Sequence, residues 1–191
     1  MEKGHIPGNK GKITTTEPLK SLEDVAKVRH AIQDDPRSLA LFSLGVNSAL
    51  RASDMLNLKR DDLKGNQLLL REKKTGKLRH LVINAPTLAA INAYLATRKD
   101  DLEWLFAGQR GKLTHGYLGA LTKSWFKKAG IEAERIACHS LRKTFVRINH
   151  SEFGVPLSTM MHTLNHSSER QTLQYCGLLG EDVAAVYANV I

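Results

Sequence analysis

Apolar residues recur along this chain at two periods, and the change of period separates helices from one small sheet. Leu22, Val25, Val28 and Ile32 fall on one face of a 3.6-residue helix, with Ser21 placed to cap it. Asp35-Pro36 predicts the opening of a second helix, because proline fits a first turn whose N–H groups lack partners anyway. Leu39, Phe42, Val46 and Leu50 give that helix its stripe, and Arg51 follows directly. Between 66 and 83 the period shortens. Leu68-Leu69-Leu70-Arg71-Glu72 and Leu78-Arg79-His80-Leu81-Val82-Ile83 predict two strands, joined by a hairpin turn at Lys74-Thr75-Gly76-Lys77. Pro86 to about Thr97 is helical again, and Trp104-Leu105-Phe106 fits either a third strand or a buried turn. Thr114 is expected to cap a helix bearing Tyr117, Leu118, Leu121, Trp125 and Phe126 and ending near Gly130. Ser140 is expected to cap the next, with Leu141, Phe145 and Ile148 inward, and Pro156 to begin a short one through Met160 and Met161. Ser168 with Gln171 matches a capping box, Gly177 is placed to end that helix just after Tyr175, and 181–189 reads as a last helix. No internal repeat is evident. The sum is an α+β fold, mostly helical, with one small antiparallel β-sheet.

Composition narrows what such a fold does. The 191 residues suit one domain, or a domain with a tail, and 42% apolar content excludes disorder along the whole chain. Lys and Arg outnumber Asp and Glu by 28 to 19, a net charge of +9. That excess favours a polyanionic partner, most simply nucleic acid, although charge is a footprint and not a proof. Residues 1–20 hold Gly4, Pro7, Gly8, Asn9, Gly11 and Pro18 with Lys3, Lys10, Lys12 and Lys20, and show no apolar period. They predict a basic flexible arm ahead of a folded domain over 21–191. Cys138 and Cys176 lack CxxC spacing and fit a reduced pair. No signal-peptide pattern and no membrane-length apolar run occurs, so a soluble, cytoplasmic, DNA-associated protein is expected.

The candidate chemistry lies in the order of six residues of four types. A phosphodiester attacked by an oxygen gains negative charge on its non-bridging oxygens. Without a metal, fixed cationic donors must hold that charge, and arginine suits because its fork donates two parallel bonds and stays protonated. Arg51 and Arg142 are the candidate clamp, and His139 stands just ahead of the helix that carries Arg142. Tyr175, nine residues after His166, is the candidate nucleophile. A free phenol has a pKa of about 10, so it needs a cationic pocket or a base. His166 is placed to orient it, deprotonate it or donate to the phosphate. The leaving 5′-oxygen needs a proton, and Lys74 at the hairpin tip, beside Lys73 and Lys77, is the candidate general acid.

With those residues in this order the chain resembles the catalytic domain of the tyrosine recombinases, the phage integrase family. Leu50-Arg51-Ala52-Ser53-Asp54 is similar to the family's first-arginine motif with its following carboxylate. Lys74-Thr75-Gly76-Lys77 is similar to its hairpin lysine, and His139-Ser140-Leu141-Arg142-Lys143-Thr144 to its His-x-Leu-Arg-x-Thr motif. Leu164-Asn165-His166-Ser167-Ser168, then Thr172 and Tyr175, resembles its second-histidine and nucleophile segment. The resemblance runs from about residue 21 to the end, making 21–191 a catalytic domain. It implies two transesterifications through a 3′-phosphotyrosyl bond at Tyr175, no cofactor and no metal, double-stranded DNA as partner, and self-association, expected as a tetramer on DNA. Asp54 is implied to buttress the site. Two features depart from the family pattern. Asn165 replaces the usual glycine, though asparagine tolerates a left-handed backbone. Only a short arm precedes the catalytic part, as in a domain cut from a longer protein or a small family member, and one-sided binding should then be more salt-sensitive. Three rival readings remain open on the residues: a DNA-binding regulator of the same fold without chemistry, a type IB topoisomerase-like enzyme, and a zinc site at His162 and His166 joined by Cys138, His139 and Cys176. Against the last, no Glu lies between the two histidines, and Ser167-Ser168 argues that a helix starts after His166.

Overall fold

The computed structural model describes residues 16–109, 111–164, 166, 172 and 173. In chain order it contains α1 (Leu22–Ala31), α2 (Pro36–Ser48), α3 (Ala52–Leu56), a 3₁₀ turn at Arg60–Asp62, β1 (Leu63–Lys64), β2 (Gln67–Arg71) and β3 (Leu78–Val82). There follow α4 (Ala85–Thr97), β4 (Ala107–Gly108), β5 (Gly111–Lys112), α5 (His115–Lys128), α6 (His139–Ser151) and α7 (Leu157–Leu164). The expected mostly helical α+β architecture is present among these residues. The sheet is one strand larger than expected, in the order β1-β2-β3 and antiparallel throughout, and β4 and β5 form a second two-residue ladder. Trp104-Leu105-Phe106 is a buried turn, apart from a bridge between Lys59 and Trp104.

Helix starts follow local chemistry. Ser21, Asp35, Asn84 and Thr114 each accept a bond from a backbone N–H in the first turn of α1, α2, α4 and α5. The expectation for α6 is corrected. The helix begins at His139, its N-cap Cys138 makes no side-chain cap, and Ser140 lies inside the first turn, where its Oγ accepts from the N–H of Ala137 at 3.2 Å. His139 therefore belongs to the helix that carries Arg142. Leu22 is also corrected, since it is exposed while Val28 and Ile32 are buried.

α2 forms the centre. Nearly every residue from Ser38 to Ser48 is buried, a pattern that needs neighbours on all sides. Trp125 of α5 meets Phe42 edge-on at 6.1 Å, and its indole N–H donates to Ser38 Oγ at 3.0 Å. On the α6 side, a Cβ added to Gly45 would meet Leu141 Cδ1 at 2.7 Å, so only glycine lets these helices approach as they do. Thr16–Lys20, the last part of the expected arm, lies along α6. Leu19 is buried, its N–H donates to Thr144 Oγ1 at 2.9 Å, and Lys143 Nζ donates to the Thr16 carbonyl at 2.7 Å.

Candidate active site

The ends of two helices and one hairpin converge. α2 stops at Ala49, whose φ of 52° turns the chain left-handed and leads straight to Arg51, the N-cap of α3. α7 stops at Leu164, just before His166. The last carbonyls of a helix lack intrahelical partners and form its negative end. Two arginines satisfy them here. Arg142 donates to the carbonyls of Ala49 and of Leu164, the latter at 3.0 Å. Arg79 of β3 donates to the carbonyls of Ser48 at 3.3 Å and Thr163 at 3.2 Å. These contacts staple the end of α2 to the end of α7, and so fix the segments that carry Arg51 and His166.

Carboxylates hold the hairpin to the same place. Glu72, buried at the end of β2, accepts from Arg51 Nη1 at 2.9 Å, from Thr75 Oγ1 at 2.8 Å and from Arg79 Nη1 at 3.3 Å. Burial pulls its carboxyl upward, but the hydrogen bonds from Thr75 and Arg51 and the charges of Arg51 and Arg79 outweigh it and leave its pKa below the ordinary range. Asp54, also buried, accepts from the N–H of Lys73 at 2.9 Å and lies 3.8 Å from Arg51 Nη1. One carboxylate thus touches both the first arginine and the backbone next to Lys74. Lys74 itself is exposed in the turn, with Gly76 at φ 69° closing it.

The two histidines lie in the field of these cations. The pKa of His166 is lowered to about 4, by burial first, then by Arg142, Arg51 and Lys74. Its Nδ1 is 3.0 Å from Thr172 Oγ1. The pKa of His139 is lowered by burial, then by His115, Arg142, Lys143 and Arg51. Both rings are neutral at pH 7 in the absence of an anion. The described residues therefore bring Arg51, Asp54, Lys74, His139, Arg142 and His166 into one region. Tyr175 and the capping box at Ser168 and Gln171 lie outside them, as do Gly177, Cys176 and 181–189.

Sequence reasoning missed Glu72 and Arg79. The signal was period 2. Leu68, Leu70 and Glu72 share one face of β2, and Arg79, Leu81 and Ile83 share the facing positions, with Leu68 opposite Leu81 and Leu70 opposite Arg79. Two charges at core-facing positions ask for partners. The weighed zinc set also differs from what the fold brings together. His162 lies within α7 and His166 beyond its end. Among the described residues, the histidines and cysteine that gather are His115, Cys138 and His139.

Three comparisons bear on this site. The model of the phage integrase family matches residues 14–179. The chain is 31% identical over 173 residues to the "probable integrase/recombinase YoeC" of Bacillus subtilis, covering 90% of this chain and 94% of that protein. It is also 31% identical over 170 residues to the tyrosine recombinase XerA of Pyrococcus horikoshii, covering 86% of this chain but 58% of the relative. The match to XerC of Caldanaerobacter subterraneus covers 48% of the relative, so the chain spans about half the length of these two recombinases. Among solved structures, a crystal structure of XerA recombinase matches with a TM-score of 0.73 at 21% identity, over 96% of this chain and 66% of that one. A lambda integrase dimer bound to a COC′ core site matches at 0.69 and 20%, over 90% and 51%. At these identities the structural likeness speaks for the fold.

Proposed function

This chain belongs to the phage integrase family and has the fold of its catalytic domain, and on that premise we propose that it cuts and rejoins DNA at specific sites through a phosphotyrosyl intermediate on Tyr175. The observation that carries the reading is the convergence of charge. Arg51 and Arg142 bear on both histidines, and Lys74 bears on His166. Burial first, and then this positive field, keep two histidines neutral, and a region of that kind suits an anion.

Each group then has a task. The guanidinium groups of Arg51 and Arg142 hold the non-bridging oxygens of a phosphodiester, where charge grows in the transition state. His166, neutral at pH 7, accepts the phenolic proton as the Tyr175 oxygen bonds to phosphorus. The bond from phosphorus to the 5′-oxygen breaks, and Lys74 supplies the proton for that leaving oxygen. His139, in the first turn of α6, donates to the phosphate and adds to the helix N-terminus beside it. A 5′-hydroxyl from a second strand reverses the step, Tyr175 leaves with its proton, and the linkage is conserved without ATP. Glu72 and Asp54 hold Arg51 and the Lys74 hairpin in register. Lambda integrase is known as a dimer on its core site. Exchange between two duplexes needs a cutting protomer for each of four strands, so the working unit is a tetramer on double-stranded DNA.

The experiment is cleavage of nicked suicide substrates from the native locus by the wild type and by Tyr175→Phe, with trapped adducts mapped by mass spectrometry. The expected result is a nucleotide on Tyr175, and an absent adduct with DNA affinity within a few-fold in the variant. A variant that still cuts removes Tyr175 as nucleophile. A wild type that binds its locus tightly and never forms an adduct makes the chain a regulator of this fold.

A further inference from the structure

Cys138 is buried, yet two imidazoles from different elements reach its sulfur. His115 Nε2 is 3.1 Å from Sγ, and His139 Nδ1 is 3.7 Å away. One ligand atom from each residue lies within 4.8 Å of the others. Tetrahedral zinc, with Zn–S of about 2.3 Å and Zn–N of about 2.0–2.1 Å, sets its sulfur and nitrogen ligands roughly 3.5 Å apart. Both sulfur–nitrogen distances fall within a few tenths of an ångström of that. The imidazoles need only a small approach, which the exposed His115 side chain can make at the first position of α5. We propose that His115, Cys138 and His139 form a three-ligand site for a divalent transition metal of the zinc class, and that its occupation holds His139 away from the DNA phosphate.

The mixed thiolate and imidazole set selects zinc-like ions over magnesium or calcium, which take oxygen ligands. Three protein ligands leave a fourth position to water, the mark of an exchangeable site rather than a closed structural one. The starts of α5 and α6 both face the cluster, and their positive ends oppose a cation while favouring the thiolate against the burial that on balance raises the pKa of the Cys138 thiol. As the metal–sulfur bond forms, the thiol proton passes to solvent, and the neutral imidazoles bind through lone pairs without releasing one. A His139 ring fixed between Cys138 and His115 cannot follow a phosphate. The inhibitory half of the inference rests on the active-site reading above; the metal site does not.

Cobalt(II) titration of the full chain tests the site by absorbance. One equivalent should give a thiolate-to-cobalt charge-transfer band that zinc abolishes by displacement. Cys138→Ala should lack the band, and His115→Ala and His139→Ala should each weaken binding at least tenfold. No band, or a band that survives Cys138→Ala, overturns the site. Zinc should slow suicide-substrate cleavage at least tenfold, with recovery on chelation, while His115→Ala cuts at the basal rate and resists zinc. Equal zinc inhibition of wild type and His115→Ala overturns the regulatory role. A chain that never cuts DNA sinks the active-site reading and its inhibition, and the cobalt spectrum still decides the site.

Discussion

Arg51 reaches its place through a carboxylate 21 positions away. Its Nη1 lies 2.9 Å from Glu72 and 3.8 Å from Asp54, so Glu72 is the nearer hold. Replacing Glu72 by glutamine keeps the shape and removes the charge that faces both Arg51 and Arg79. Breaking a buried pair costs about 3–5 kcal/mol, and the retained amide oxygen puts this change at the lower end. Urea unfolding should report a loss of about 3 kcal/mol. Cleavage should fall more than tenfold with DNA affinity within a few-fold, because phosphate binding tolerates a displaced charge better than the reaction tolerates a displaced fork. Unchanged cleavage would mean Asp54 alone sets Arg51. Removing Lys74 gives a contrasting pattern. Lys74→Ala should slow cleavage more than binding, and a substrate with a better leaving group should restore it, since only proton supply is lost. A rate left unrestored would take the acid role from Lys74. The residues proposed to meet a phosphate stood out in the sequence because each has a local motif: Arg51 with Asp54, His139 with Arg142, Lys74 in a turn. Glu72 and Arg79 have none. They pair with each other across the hairpin, their partners Arg51, Ser48 and Thr163 lie far away in the chain, and only their place on the inner face of a period-2 strand hinted at burial.

At the scale of elements, α2 sets the position of α6. Gly45 lies against Leu141, and Leu141 immediately precedes Arg142. Gly45→Ala adds a methyl where Leu141 Cδ1 stands 2.7 Å away and Leu141 Cβ 3.0 Å away, so α6 itself must shift and a rotamer change is not enough. Such overpacking costs about 1–3 kcal/mol. The shift would also move Arg142 away from the carbonyls of Ala49 and Leu164. Cleavage should therefore fall further than the stability loss alone accounts for when measured well below the melting temperature. Full activity with lowered stability would show that Arg142 is positioned by its carbonyl contacts and not by helix spacing. Helix boundaries were legible where a side chain does the capping, as at Ser21, Asp35 and Thr114. α6 was misread because its N-cap, Cys138, uses no side-chain bond, which left Ser140 as the only familiar signal. The stapling of α2 to α7 was beyond sequence, since it joins main-chain carbonyls that every residue possesses.

For the molecule as a whole, the +9 charge and the neutral histidines predict that the proposed DNA binding is linked to proton uptake. An ordinary histidine titrates near 6.5, while His166 in the DNA-free fold titrates near 4 and His139 below its usual value. As pH falls from about 6.5 towards 4, the unfolded chain takes up protons at these positions and the fold does not, so DNA-free stability declines across that window. A bound phosphate reverses the balance, because an adjacent anion favours the imidazolium and raises both values. DNA binding should then take up protons, and affinity should rise between pH 7 and pH 5.5 at fixed salt. The site's share is what His166→Gln removes. Fluorescence anisotropy at the two pH values should show a steeper gain for the wild type than for this variant. Salt separates the contributions further, since each neutralised phosphate adds about 0.9 to the slope of log affinity against log salt. The extra gain at pH 5.5 should come with a steeper salt slope in the wild type only. Equal pH gains in the two proteins would mean that His166 does not meet the phosphate, and the acceptor of the Tyr175 proton would have to be sought elsewhere.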